Sequence, residues 1–275
     1  MSLDLSKIGR TYTSQPFHYS WRECVTYALG IGAGPKDLSY TWEGAKNFKV
    51  YPSFVVIPTQ PLIMEALKDM KANFKTLVHG AQSITLHKSL SPQGVLYSKA
   101  VIDRVFDKGK GSLIILKTYT EDQEKQLVSE TSWSIFCRGQ GGFGGQRGKK
   151  TVLPETKGSA IIDKEIAIPP HQALLYRLNG DRNPLHVDPQ MAKTVGFKGP
   201  ILHGLCTYGY AIRVIVEELC EPSALLSFAA RFSREVYPGD TVNVQIFATN
   251  TPKTYRLQVQ VAQKQVLSQG LITIR

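Results

Sequence analysis

The sequence predicts an α+β protein made of two similar halves, and three observations carry that reading. A helix-like segment followed by a run of strand-like segments occurs twice, a glycine-rich aperiodic stretch separates the two runs, and helices and strands are segregated instead of alternating. Interleaved βα units would point to a parallel sheet, whereas this order points to antiparallel sheets, each packed on a helix. The duplication rests on element order alone, because no residue-level repeat is visible. The halves are expected at residues 1–138 and 159–275, joined through 139–158.

The first helix is expected in "YSWRECVTYALGIGAG", where Trp21, Val25, Ala28 and Leu29 recur at helical spacing and Gly30, Gly32 and Gly34 stop the run. The segment "PLIMEALKDMKANF" places Leu62, Ile63, Leu67, Met70 and Phe74 on one side of a second helix. Four stretches rich in branched and aromatic residues follow: "QSITLHKSL", "LYSKAVIDRVFD", "GSLIILKTYTE" and "QLVSETSWSIFCR". The turn signals between them, such as Pro92 to Gly94 and Lys108 to Gly111, suggest an antiparallel meander. After the glycine-rich connection come a short strand in "SAIIDKEIAI", a turn-rich stretch and a short helix, "PQMAKTVG", begun by Asp188-Pro189 and closed by Gly196. A longer helix follows, with Leu205, Tyr208, Ile212, Ile215 and Leu219 forming an apolar stripe. Three strands, "ALLSFAARFSREV", "DTVNVQIFATN" and "YRLQVQVAQKQVLSQGLITIR", complete the second half.

A chain of 275 residues can bury a sizeable core in each half. The N-terminus lacks an apolar stretch of signal-peptide length, and no segment approaches the roughly 18 apolar residues of a spanning helix, so a soluble intracellular protein is expected, with no membrane partner. The four cysteines lack the paired spacing of a disulfide framework or zinc site. The formal charge of +11 favours anionic partners such as phosphorylated cofactors or nucleic acid, although the Lys and Arg residues are scattered.

Gly139, Gly141 and Gly144 spell G-x-G-x-x-G, but "GQRGKKTVLP" is a poor helix start for a dinucleotide site. As an RGG-like segment the same run is too short to suggest nucleic-acid binding. In "YRLNGDRNPLHVDP", Asp181 and Asn183 resemble the start of a calcium loop, but His186 stands where Gly is needed and Ala192 where Glu is needed. A zinc site on His186 and Asp188 lacks a third ligand at a recognisable spacing, so no metal is expected. An acid–base reading fits better: Asp181 and His186 have ordinary pKa values on either side of neutrality, and Asn183 offers both donor and acceptor. The alternative is that Asp181 and Asn183 form an Asx-type turn. Downstream, Gly204 stands at the N-terminus of the longer helix, where a free N–H can meet a carbonyl oxygen.

The stretch "GDRNPLHVDPQMAKTVGFKGPILHGLCTYG" resembles the signature of the MaoC-like (R)-specific 2-enoyl-CoA hydratases, or type 2 hydratases, in particular the hydratase unit of peroxisomal multifunctional enzymes. The likeness extends through "YALGIGAG", "LVHGAQSITLHKSL", "VFDKGKG", "GGFGGQRG" and "ARFSREVYPGDTV". It implies a double hot-dog fold, each antiparallel sheet wrapping a helix and the N-terminal helix reduced. It also implies reversible hydration of trans-2-enoyl-CoA to (3R)-3-hydroxyacyl-CoA in fatty acid β-oxidation. The alternative is a MaoC-like dehydratase acting on a carrier-protein or polyketide thioester. By matching motifs the catalytic roles fall on Asp181, His186, Asn183 and Gly204, and substrate contacts on His79, Gly80, Lys108, Arg231 and Phe232. His79-Gly80 has no D-x-N-P-x-H before it, as expected of a non-catalytic first half. Coenzyme A belongs to the substrate, no separate cofactor is implied, and a homodimer without nucleic acid is the expected assembly. The resemblance implies a peroxisomal location, yet the chain ends "GLITIR", which is not a serine-lysine-leucine address; the cytoplasm is the alternative.

Overall fold

The computed structural model describes residues 2–149 and 151–275. Two short strands, β1 (Thr11–Thr13) and β2 (Phe17–Tyr19), precede helix α1 (Trp21–Gly30), whose start is set by a capping box. The Arg22 N–H donates to the Ser20 hydroxyl, and Glu23 accepts from the Ser20 N–H at 2.8 Å. The short α2 (Leu38–Thr41) and α3 (Gln60–Asp69) follow, then β3 (Leu77–Leu86), β4 (Gly94–Asp107), β5 (Gly111–Glu121) and β6 (Leu127–Arg138). The second half holds β7 (Ile162–Ala167), α4 (Gln172–Tyr176), α5 (Pro189–Thr194) and α6 (Gly204–Val214). It ends with β8 (Leu225–Phe232), β9 (Thr241–Ala248), β10 (Thr254–Val261) and β11 (Lys264–Ile274).

The strands form one sheet in the order β1-β4-β5-β6-β3-β8-β11-β10-β9-β7, with β2 paired to β4. Each half therefore repeats one pattern in mirror order. A three-strand meander (β4-β5-β6 or β9-β10-β11) carries an outer strand at one edge, and the strand after the half's main helix returns to pair with the meander's last member. This corrects the simple meander expected from the sequence. The returning strands β3 and β8 pair with each other, Ala81 opposite Arg231 through Thr85 opposite Ser227, and join the halves into one continuous sheet.

Side-chain alternation buries Ile84, Ile114, Leu116, Val244, Ile246 and Val259 on the inner face, against α3 and α6. Helix α6 is buried on nearly every side from Leu205 to Ile212, wider than the predicted stripe, and it continues as one π-helical turn at Ile215–Leu219. The α1 end packs on it closely enough that a Cβ at Gly32, where φ is +82°, would overlap the Tyr210 hydroxyl.

Other differences from expectation have local causes. The buried face of α1 consists of Cys24, Tyr27 and Ala28, with Trp21 and Leu29 outside, because α1 lies on α4 and not on the sheet. Phe74 lies beyond α3 and is exposed. The last predicted strand is two, β10 and β11, folded back at Ala262 and Gln263. Both residues have left-handed φ, 46° and 65°, so a tight turn is built without glycine or asparagine and carried no recognisable turn signal. Replacing Ala262→Asn and Gln263→Gly is expected to raise unfolding stability by about 1 kcal/mol, measured by urea titration, because the turn then uses residues suited to positive φ.

Candidate active site

The turn after α4 begins with Gly180 in a left-handed conformation and carries Asp181 and Asn183 into two successive Asx-type bonds. The Asn183 N–H donates to Asp181 Oδ1 at 3.2 Å, and the Leu185 N–H donates to Asn183 Oδ1 at 3.0 Å. The turn reading is thus realised, but it uses only part of each side chain. Asn183 keeps its amide N–H groups, and Asp181, half-buried, faces His186. Asp188 does what the sequence indicated, accepting from the Gln190 N–H at 2.8 Å to start α5.

His186 is buried, and its Nδ1 lies 2.9 Å from the Ile201 carbonyl. A carbonyl only accepts, so the neutral ring carries its proton on Nδ1 and leaves the Nε2 lone pair free. Burial holds the His186 pKa below the usual imidazole value, while the Asp181 carboxylate opposes that shift. Stacked on it, ring centroids 3.6 Å apart, is His203, the residue before α6. His203 Nε2 lies 3.3 Å from the Asp181 carbonyl, and burial drives its pKa down to about 2.

Donor atoms of Asp181, His186 and His203 fall within 4.8 Å of one another. The face-to-face stack, tilted by only 26°, sets the lone-pair planes of the two rings side by side. A cation in the plane of one ring lies well out of the plane of the other, a poor fit to tetrahedral zinc.

Gly204 is the first residue of α6, and its N–H is one of the unpaired donors at the positive end of the helix. A Cβ there would lie 3.2 Å from the Phe232 ring. Phe232 packs on His79 with centroids 4.7 Å apart, and His79 stacks on Trp133 at 5.0 Å. His79 and Gly80 lie at a β-bulge in β3, and burial pushes the His79 imidazole down to about 4. The structure thus brings Gly204, Phe232 and His79-Gly80 together.

Two predicted contacts do not join them. Arg231 is adjacent to Phe232 on β8, so its side chain leaves by the opposite face of the sheet and is exposed. Lys108 is exposed and donates to the Arg147 carbonyl in the glycine-rich segment. That segment opens no helix, and its shape comes from Asp107, whose carboxylate accepts from the N–H groups of Gly109, Gly142 and Gly144 at 2.8–2.9 Å and is held down at about 2 by those bonds. Sequence reasoning missed Tyr176 and Trp133, whose long-range partners have no local signature; His203 was visible beside Gly204 but carried no role.

A double set of helices, each wrapped by an antiparallel sheet with a polar site at the seam, defines a double hot-dog protein. Residues 17–139 match the MFE-2 hydratase 2 N-terminal domain, and residues 153–269 match the MaoC like domain. The probable enoyl-CoA hydratase 2 of Dictyostelium discoideum is 36% identical over 100% of this chain and 97% of that protein. Peroxisomal multifunctional enzyme type 2 of Mus musculus is 33% identical over 97% of this chain, which spans 38% of that larger protein. A crystal structure of a MaoC-like dehydratase from Phytophthora capsici superposes with a TM-score of 0.89 at 30% identity, covering 99% of this chain and 98% of that one. A Mycobacterium tuberculosis protein described as having a double hot-dog fold superposes at 0.61 with 13% identity, a likeness of fold alone. The chain belongs to the MaoC-like family, in the branch where a MaoC like domain follows an MFE-2 hydratase 2 N-terminal domain.

The depressed imidazoles make stability depend on pH. His79, His186 and His203 are all held below 6.5, so the unfolded chain takes up protons that the fold refuses. Their contribution is full above about pH 6.5 and is lost progressively as pH falls toward 4. The thermal unfolding midpoint is expected to drop across this range, with a shallower slope in His79→Phe.

Proposed function

We propose that the chain hydrates trans-2-enoyl-CoA to (3R)-3-hydroxyacyl-CoA, the reversible step that β-oxidation of fatty acids requires. The observation that carries this reading is a neutral His186 with its Nε2 lone pair free, next to a carboxylate and close to the start of α6. Addition of water across C2=C3 needs a base to take a proton from water, an acid to supply one to C2, and a donor for the charge that builds on the thioester oxygen. His186, helped by the Asn183 amide, activates the water that bonds to C3. Asp181 delivers or relays to C2 the proton that the water gives up, and the Gly204 N–H receives the thioester oxygen.

In this reading residues 159–275 supply the chemistry, residues 1–138 accommodate the acyl chain, and 139–158 joins them. His79, Gly80 and Phe232 form the wall beside the thioester. Lys108 contributes to a basic rim for the phosphates of coenzyme A, which is substrate and not a resident cofactor. Among the described residues no helix is long and apolar enough to cross a membrane. The relatives' names support the peroxisome as the compartment, and a homodimer is the proposed assembly. The second reading, a dehydratase of another acyl thioester, is the same chemistry run in reverse on a different carrier; the relative named as an enoyl-CoA hydratase favours the first.

Loss of enoyl absorbance with crotonyl-CoA and a long-chain enoyl-CoA, with the chirality of the product determined, tests the proposal. A (3S) product, or no turnover at any chain length, overturns it. Asp181→Asn and His186→Ala are each expected to lower kcat about 10³-fold with the fold intact. Near-normal turnover in either removes that residue from the mechanism.

A further inference from the structure

Behind His186 stands a group that the proposed chemistry does not use. His203 is 1% exposed, and three contacts account for its position. Its face lies on His186 at 3.6 Å, its Nε2 sits 3.3 Å from the Asp181 carbonyl, and its other side meets the Tyr176 ring at 4.9 Å. Tyr176 in turn lies 6.3 Å from Tyr27, which packs edge-on against Phe54, so a column of rings runs from the first half's core to His186. Because the Asp181 carbonyl accepts, His203 carries its proton on Nε2, and its Nδ1 is a buried lone pair without a hydrogen-bond partner. A buried polar atom left unpaired is destabilising, so a phenyl or aliphatic side chain would fill this place at less cost if packing were all that mattered.

We propose that His203 is a positioning residue for the acid–base pair, fixing the plane of the His186 ring by stacking and the backbone of Asp181 by its Nε2–H bond. One imidazole thus holds both members of the pair in register, although Asp181 and His186 lie five residues apart on an otherwise exposed turn. The charged and titratable groups around the two rings sustain this role. Asp181 favours a proton on His186, whereas Arg177 and His186 both disfavour one on His203. Tyr176 and the Cys206 thiol, both fully buried, hold no charge in the working range because burial raises their pKa values. His203 therefore remains a neutral ring while His186 titrates. A second cation pressed against His186 would oppose the imidazolium that forms when it takes the water proton.

The kinetic part of the inference rests on the hydratase reading, so its test has one arm that needs no turnover. The chain has six histidines, few enough for their ring signals to be followed individually by NMR from pH 4 to 9. In the unaltered protein His203 is expected to keep the neutral Nε2–H form throughout, and His186 to titrate below 6.5. His203→Gln keeps a donor for the Asp181 carbonyl but removes the stacked face; it should move the His186 midpoint up toward 6.5 and lower kcat. His203→Phe keeps the face and removes the donor; it should leave the midpoint in place yet lower kcat roughly 10- to 100-fold with KM nearly unchanged, as expected for misplaced reacting groups. Thermal unfolding establishes that each variant is folded, and if one is not, the other decides. An unmoved His186 midpoint in His203→Gln, kcat within twofold of the parent in either folded variant, or a rise in KM alone overturns the inference. Absence of hydration in the unaltered protein overturns the hydratase reading instead, and the NMR arm then decides the positioning role alone.

Discussion

The pairing of β3 with β8 is the constraint on which the rest of the molecule depends. Five consecutive residue pairs, Ala81 to Thr85 against Arg231 to Ser227, turn two half-sheets into one. Without that seam, each half has a strand edge open along its length and one wall of the candidate site is missing. With it, the end of β8 brings Phe232 against His79 from β3, and the same Phe232 ring limits what can stand at the first residue of α6. The glycine at position 204 thus answers to a contact between the halves, and its free N–H is exposed to the site as a consequence.

The site is held from both sides by stacked rings, and those rings are kept neutral. On one side run Trp133, His79 and Phe232; on the other Tyr27, Tyr176, His203 and His186. Imidazoles suit such columns because they pack like small aromatic rings and still place a hydrogen bond at a chosen atom: His79 to the Ala81 carbonyl, His203 to Asp181, His186 to Ile201. Burial then decides their charge. All three rings are pushed below neutrality by their burial, and among them His186 has a facing carboxylate to counter this. A difference of environment, not of residue type, separates the ring proposed to exchange a proton from the rings packed around it.

What could be read from the sequence divides along the range of the interactions involved. Asp188, the short helix after it and the left-handed Gly196 were legible because a cap and a stop are local chemistry. Asp181, Asn183 and His186 stood out because polar residues and prolines crowd one turn, while the family resemblance, and not the spacing, supplied their roles. The return of β3 to β6 was hidden, since an antiparallel partner can be either neighbour in the chain or a strand two hairpins away. Arg231 stands apart from the cluster for a similar reason: its motif is contiguous with Phe232, but a strand sends adjacent side chains to opposite faces. The column through Tyr27, Tyr176 and His203 joins residues up to 176 positions apart and leaves no periodic trace.

The glycine-rich connection shows how composition and structure can diverge. Residues 139–158, with little apolar content, read as a tether. Asp107 reverses that conclusion by supplying a carboxylate whose lone pairs gather N–H groups from both the β4–β5 turn and the glycine run. Glycine permits this because Gly142 and Gly144 adopt left-handed conformations that turn successive N–H groups inward, and because Gly141 must pass the carbonyls of Gly109 and Gly111 where no Cβ fits. The same turn carries Lys108, whose ammonium is tied back to the Arg147 carbonyl. A segment that looks like slack chain is therefore an ordered loop organised by one buried anion, and it gives the basic residues of the proposed rim a defined place relative to the seam.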